Sequence, residues 1–153
     1  MLHFAYGSNM SRALMAMRCP QAQPLGPAAL PGWRFVISRN GYGSIARARG
    51  GVVIGVLWRL SVRDLAAVNA YESVDSGLYL RRHLAVRRDE RHIRALVFVA
   101  RTGGEGRPRP GYIGVVTEAA RGWCLPEPYV RSIARWSSSR WHGARAPDTG
   151  ELR

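Results

Sequence analysis

Lysine is absent from this 153-residue chain, and cysteine nearly so, with only Cys19 and Cys124. The two cysteines are far apart and form no CxxC pair, which argues against a disulfide framework or a zinc site. His3, His83, His92 and His142 are scattered, and no His/Asp/Glu group has metal-ligand spacing, so no metal or cofactor is expected. No apolar run approaches the roughly 18–20 residues of a membrane-crossing helix. The first residues also lack the basic-then-apolar order of a signal peptide, so the cytoplasm is the expected location. There are no internal repeats.

What is present in excess is arginine. The net charge of +13 raises a nucleic-acid reading. Two features weigh against it: with no lysine, the charge reflects an arginine bias, and the arginines are spread along the chain. The one dense group is Arg81, Arg82, Arg87, Arg88, Arg91 and Arg94, around the turn Asp89-Glu90. A charged hairpin tip is ordinarily a solvated face.

With 46% apolar residues, the chain has the composition of one globular domain. It should span residues 1–136, followed by a polar, flexible tail over 137–153. Leu2 to Tyr6 reads as a strand, and Ser11 to Arg18 as a short helix closed by Pro20. Gln21 to Pro31, rich in Pro and Ala, reads as a loop. Trp33, Phe35 and Ile37 alternate on one strand face. Asn40-Gly41 marks a turn, Gly43 to Ala48 resumes extended structure, and Val52 to Leu60 reads as a central buried strand.

Ser61 and Asp64 open a helix over Ser61 to Tyr71, with Val62, Leu65, Ala66 and Val68 as its apolar face. A hairpin follows, Leu78 to Val86 and Ile93 to Ala100. Arg101 to Pro110 is a Gly/Pro-rich loop able to close over a site. Helices are expected over Tyr112 to Arg121, capped by Gly122, and over Leu125 to Trp136. Short strands with inserted helices, without βαβ alternation, define an α+β fold: a small mixed, mostly antiparallel β-barrel with flanking helices.

Two stretches carry chemistry. In LHFAYGSNM, a strand meets a small-residue turn and then a helix, leaving backbone N–H groups free to bind an anion. Ser8 and Asn9 could equally serve as helix caps. In YESVDSGLY, Glu72 stands where a helix ends, a position that disfavours negative charge by a few tenths to about 1 kcal/mol when exposed. Such a carboxylate is either solvated or retained for a purpose.

In order along the chain stand AYGSNM, YES-x-x-SGLY and PGYI, followed by the tryptophan and proline of WCLP. Together they make the sequence resemble the γ-glutamylcyclotransferase family from about Met1 to Trp136. The resemblance implies a small α+β barrel with a pocket at one mouth. It implies that Tyr6, Gly7, Ser8 and Asn9 bind the glutamyl part of the substrate, with Tyr79 and Tyr112 lining the pocket. Glu72 would be the acid/base catalyst. Family members more often carry Gly where this chain has Ser73, which bears on the leaving half of the substrate.

The implied reaction cyclises the γ-glutamyl part of a small γ-glutamyl amino acid or amine to 5-oxoproline and releases the amine. A carboxylate with a raised pKa suits it, because a proton must leave the α-ammonium and another must reach the leaving amine. The expected partner is thus a small γ-glutamyl molecule, with neither membrane nor nucleic acid; a homodimer is compatible with the sequence. Two rival readings are a non-catalytic barrel that binds a γ-glutamyl-like ligand and an Arg-rich nucleic-acid-binding module.

Overall fold

The computed structural model describes residues 1–72, 77–101 and 104–137. Its strands are β1 (Leu2–Ala5), β2 (Gln23–Ile37), β3 (Gly43–Arg59), β4 (Tyr79–Arg88) and β5 (Arg91–Ala100). Its helices are α1 (Arg12–Arg18), α2 (Val62–Tyr71), α3 (Tyr112–Gly122) and α4 (Glu127–Ala134), with 3₁₀ turns at Ser8–Met10 and Arg135–Ser137. The strands close a barrel in the order β1-β3-β2-β4-β5. Every neighbouring pair is antiparallel except β1 with β5, which run parallel where His3 meets Leu96. The mixed, mostly antiparallel barrel with flanking helices is the expected fold.

β3 is the central strand, bonded to β1 on one side and β2 on the other. Its Val53, Val56 and Leu57 are wholly buried and meet Phe4 of β1 and Val97 of β5 in one core. Val116 and Ala120 of α3, with Val130 and Ile133 of α4, extend that core outward. Among the described residues, no helix is long and apolar enough to cross a membrane.

The largest departure from the sequence reading is β2. The segment Gln21 to Pro31, read as a loop, belongs from Gln23 onward to a 15-residue strand paired with β3. Prolines are tolerated there because β2 meets β4 only at Ala29↔Arg87, so most of its outer edge needs no donors. Irregularities at Pro24/Gly26 and Pro31/Trp33 absorb the misfit. On the other side, Gly43 to Arg59 is one 17-residue strand rather than two.

Three helix details also change. Of the expected apolar face, Val68 is buried and Leu65 packs half-buried against the core, whereas Val62 is 88% exposed and Ala66 is exposed; Asp64 joins the buried side. Asp64, 1% exposed, is satisfied by the capping box with Ser61 and by the Gln21 N–H. Gly122 is the last residue of α3, and Cys124 takes the left-handed conformation that ends the segment. α4 starts after Pro126 and stops at Ala134, the chain then tightening into the 3₁₀ turn.

The hairpin turn falls at Asp89-Glu90 as read, both residues with positive φ. All six arginines of its cluster are exposed except Arg88, which is half-buried. From Gly104 to Pro110 the chain packs back on the β2–β3 turn, Gly106 N–H bonding Ile37 and Arg109 N–H bonding Gly41. Of the tail expected over 137–153, only Ser137 lies within the described residues.

Candidate active site

The turn after β1 is built from both ends of the chain. β1 delivers Tyr6 and Gly7, and Ser8–Met10 coils into a 3₁₀ turn closed by Met10 N–H on the Gly7 carbonyl, 3.1 Å. Ser11 then caps α1, its hydroxyl accepting from Leu14 N–H at 3.2 Å. The indole N–H of Trp123 holds the turn from outside, donating to the Met10 carbonyl at 2.7 Å.

The second component is the end of α2. The capping box fixes its start, and Glu72 N–H closes its last turn on the Val68 carbonyl at 2.9 Å. Glu72 thereby projects toward the turn, and Asn9 Nδ2 donates to its Oε1 at 3.2 Å. Burial pushes the Glu72 carboxyl up from 4.5 to about 7, with the Arg18 guanidinium pulling the other way. The carbonyl end of the helix adds in the direction of burial.

A pocket of about 320 Å³ lies between these parts. Tyr6, Gly7, Ser8, Asn9, Glu72, Tyr79 and Tyr112, all singled out in the sequence, line it together. Its wall is completed by residues that sequence reasoning missed: His3, Tyr42, Gly43, Tyr71 and Phe98 among them. Among the described residues, Glu72 is the only carboxylate in the lining, and no arginine belongs to it.

The tyrosines have defined roles in the wall. Tyr6 donates its hydroxyl hydrogen to the Phe98 carbonyl, and Tyr79 donates to the Gly43 carbonyl at 2.9 Å. Their oxygens therefore offer the pocket lone pairs rather than hydrogens. Burial raises the pKa of Tyr6, Tyr79 and Tyr112, and the Glu72 charge raises all three further, so they stand neutral. Tyr112, first residue of α3, brings its hydroxyl so near Gly7 and Gly43 that a Cβ on either would lie 2.7 Å from it. Both positions require glycine for that close approach.

His3 is buried at the base of the same pocket, its Nδ1 on the Leu96 carbonyl at 3.1 Å. Since a carbonyl only accepts, Nδ1 carries the hydrogen. Burial holds this imidazole down at about 4, against the Leu96 bond, so it is neutral. Arg18, outside the lining, donates to Asn9 Oδ1 at 2.6 Å and Ser8 Oγ at 3.2 Å, and stacks 3.6 Å above the Tyr71 ring. Its only sequence signal was a basic residue in the last turn of α1. Among the described residues, no group of three or more His, Cys, Asp or Glu could hold a metal.

The five-stranded mixed barrel with flanking helices is a γ-glutamylcyclotransferase-like fold. Residues 52–133 match the model of the AIG2-like family, and this chain belongs to that family. A mouse protein named gamma-glutamylcyclotransferase is 26% identical over 153 residues, covering 93% of this chain and 81% of its own. Its human counterpart is 25% identical over 143 residues, covering 86% and 76%. A solved structure of a protein named gamma-glutamyl cyclotransferase superposes with a TM-score of 0.84 at 22% identity, over 95% of this chain and 93% of that one. That likeness carries the fold.

Proposed function

We propose that this chain, as a single domain over residues 1–136, is a cytoplasmic cyclotransferase. It would convert the γ-glutamyl part of a small γ-glutamyl amino acid or amine to 5-oxoproline. The observation that carries the reading is the Glu72 carboxyl: half-buried in a pocket, raised to about 7, and hydrogen-bonded by the turn residue Asn9. The relatives named gamma-glutamylcyclotransferase support the same reaction class.

The α-amine of the substrate attacks its own γ-carbonyl carbon, a C–N bond forms, and the bond to the leaving amine breaks. Because the attack is intramolecular, the protein need only hold the chain bent with the reacting atoms in contact. Two protons leave the α-nitrogen and two reach the departing nitrogen, so a single carboxylate can pass them in turn and finish as it began. Taking a proton from an ammonium of pKa about 8 onto a carboxyl near 7 is uphill by about 1.4 kcal/mol. An ordinary carboxyl at 4.5 would face nearly 5 kcal/mol. The burial of Glu72 removes most of that barrier.

The turn suits the charged remainder of the substrate. Gly7 and Ser8 line the pocket, and a donor aimed at the developing oxyanion contributes about 3–4 kcal/mol. A volume of about 320 Å³ fits a ligand of dipeptide size. None of the hairpin arginines lines this pocket, which leaves the leaving group to be chosen by the pocket wall itself. The test is a screen of γ-glutamyl dipeptides and γ-glutamylamines for 5-oxoproline release. Release from one class at enzymic rates is the expected result; binding without release of 5-oxoproline would support the non-catalytic barrel instead.

A further inference from the structure

Asn9 sits between two groups of opposite hydrogen-bonding character. Its Oδ1 receives Arg18 NH1 at 2.6 Å, and its Nδ2 donates to Glu72 Oε1 at 3.2 Å. A guanidinium only donates and a carboxylate only accepts, so the amide has one orientation that satisfies both. Turned over, it would set an NH₂ against the guanidinium and an oxygen against the carboxylate. Asn9 is 5% exposed, with little water to make up the loss.

Arg18 is itself held from three sides: Asn9, the Ser8 hydroxyl at 3.2 Å, and the Tyr71 ring at 3.6 Å. Among the described residues, it makes no ion pair with a carboxylate. Its charge faces the site through a neutral amide instead of neutralising an acid directly. A direct pair would hold Glu72 as a permanently ionised, weak base. An amide relay leaves the carboxyl free to gain and lose a proton while fixing where it points.

We propose that Arg18 is a positioning residue: by locking the side-chain amide of Asn9, it keeps the Nδ2–H on Glu72 and the carboxylate aligned for proton transfer. This rests on the reading of Glu72 as acid/base. When Glu72 is protonated, Arg18 still prevents the amide from turning to accept from it, so the relay favours the charged form. Around Glu72 stand Arg18 from α1, Asn9 and Tyr6 from the turn and the end of β1, Tyr71 beside it on α2, Tyr79 opening β4, and Tyr112 opening α3. Arg18 is the only cation among them. Burial opposes ionisation, and Arg18 with its amide is the counterweight.

The experiment is a ¹³C titration of the Glu72 side-chain carboxyl in the full chain, its signal identified by loss in Glu72→Gln. It is run on the parent, Arg18→Gln and Arg18→Lys, with kcat and KM measured in parallel on the best substrate from the screen. An opposite charge within about 4–6 Å lowers a carboxyl pKa by about 1–3 units, and an interposed amide weakens that pull. Arg18→Gln should therefore titrate at least about half a unit above the parent, with kcat at neutral pH falling more than KM changes. Arg18→Lys, which keeps the charge but not the two-sided grip on Ser8 and Asn9, should move less in pKa and still lose kcat. A folded Arg18→Gln with the parental midpoint overturns the inference. Should that variant not fold, Arg18→Lys with parental midpoint and parental kcat overturns it equally. A shifted midpoint in a protein that turns over no γ-glutamyl compound leaves the positioning role standing and removes the enzymic reading.

Discussion

Asn9 and Glu72, sixty-three positions apart in the chain, meet at 3.2 Å across the pocket mouth. One arrives on the turn after the first strand and the other at the end of the second helix. Their contact ties the proposed anion-binding turn to the proposed acid/base in a single unit. Most of the site's chemistry can be tested through that unit.

Replacing Glu72 with Gln keeps the size and the acceptor for Asn9 but removes the base. Substrate should still bind, while 5-oxoproline release falls by about 10²–10⁴-fold. Glu90→Gln, on the exposed hairpin turn, should leave turnover unchanged. A folded Glu72→Gln protein with parental turnover would sink the mechanism.

The rate should depend on pH through the raised carboxyl. With Glu72 near 7, kcat/KM should rise with pH and level off above about that value, not above the ordinary 4.5. An acidic limb centred near 4.5 would mean that Glu72 is solvated when it works.

Stability should carry two opposing pH terms. Glu72 has a folded pKa above its free value, so its contribution is fully present below 4.5 and is lost as pH rises through 7. His3 has a folded pKa below its free value, so its contribution is present above 6.5 and is lost as pH falls through 4. The 2.5-unit depression of His3 corresponds to a loss on the order of 3 kcal/mol. Urea unfolding of Glu72→Gln should thus show a steeper fall in stability between pH 6.5 and 4 than the parent, in which the two terms partly cancel. Parallel curves would contradict the burial of Glu72, since His3 is common to both proteins.

Gly7→Ala should disturb the pocket through Tyr112, because the new Cβ would lie 2.7 Å from the tyrosine hydroxyl. KM is expected to rise with the fold intact by circular dichroism. Removing that oxygen in Gly7→Ala/Tyr112→Phe should restore part of the affinity relative to Gly7→Ala alone. If the second change gives no recovery, the damage comes from the backbone and not from this contact.

Much of this arrangement was legible where a local rule and a tertiary need agree. Ser61 and Asp64 form the capping box they spell, and Asp89-Glu90 turns the hairpin. Reading failed where tertiary context overrode local preference. Pro24, Pro27 and Pro31 signal a loop, yet they lie in β2 because that strand pairs with β4 only at Ala29↔Arg87. Val62 reads as part of the apolar face of its helix, but it lies outside, while the capping Asp64 is drawn inward. Arg18 could not be singled out among so many arginines, since its role depends on which oxygens face it. The pocket residues Glu72, Tyr79 and Tyr112 were found by motif, while Tyr42 in the β2–β3 turn and Phe98 in β5 carry no such mark.

The parallel seam between β1 and β5 sets an order of events for the newborn chain. Leu2–Ala5 leaves the ribosome before its partners do, the antiparallel ones being Val56–Arg59 and the parallel one Leu96. Until most of the chain has been made, Phe4 and its neighbours have no complete shelter, and exposed apolar strands of that kind are prone to wrong partners. The turn that follows β1 is likewise unsupported until Trp123 arrives to hold Met10. The opening of the pocket is thus a late product of synthesis, and a chain stopped short of α3 would carry every residue of the turn without the scaffold that shapes it.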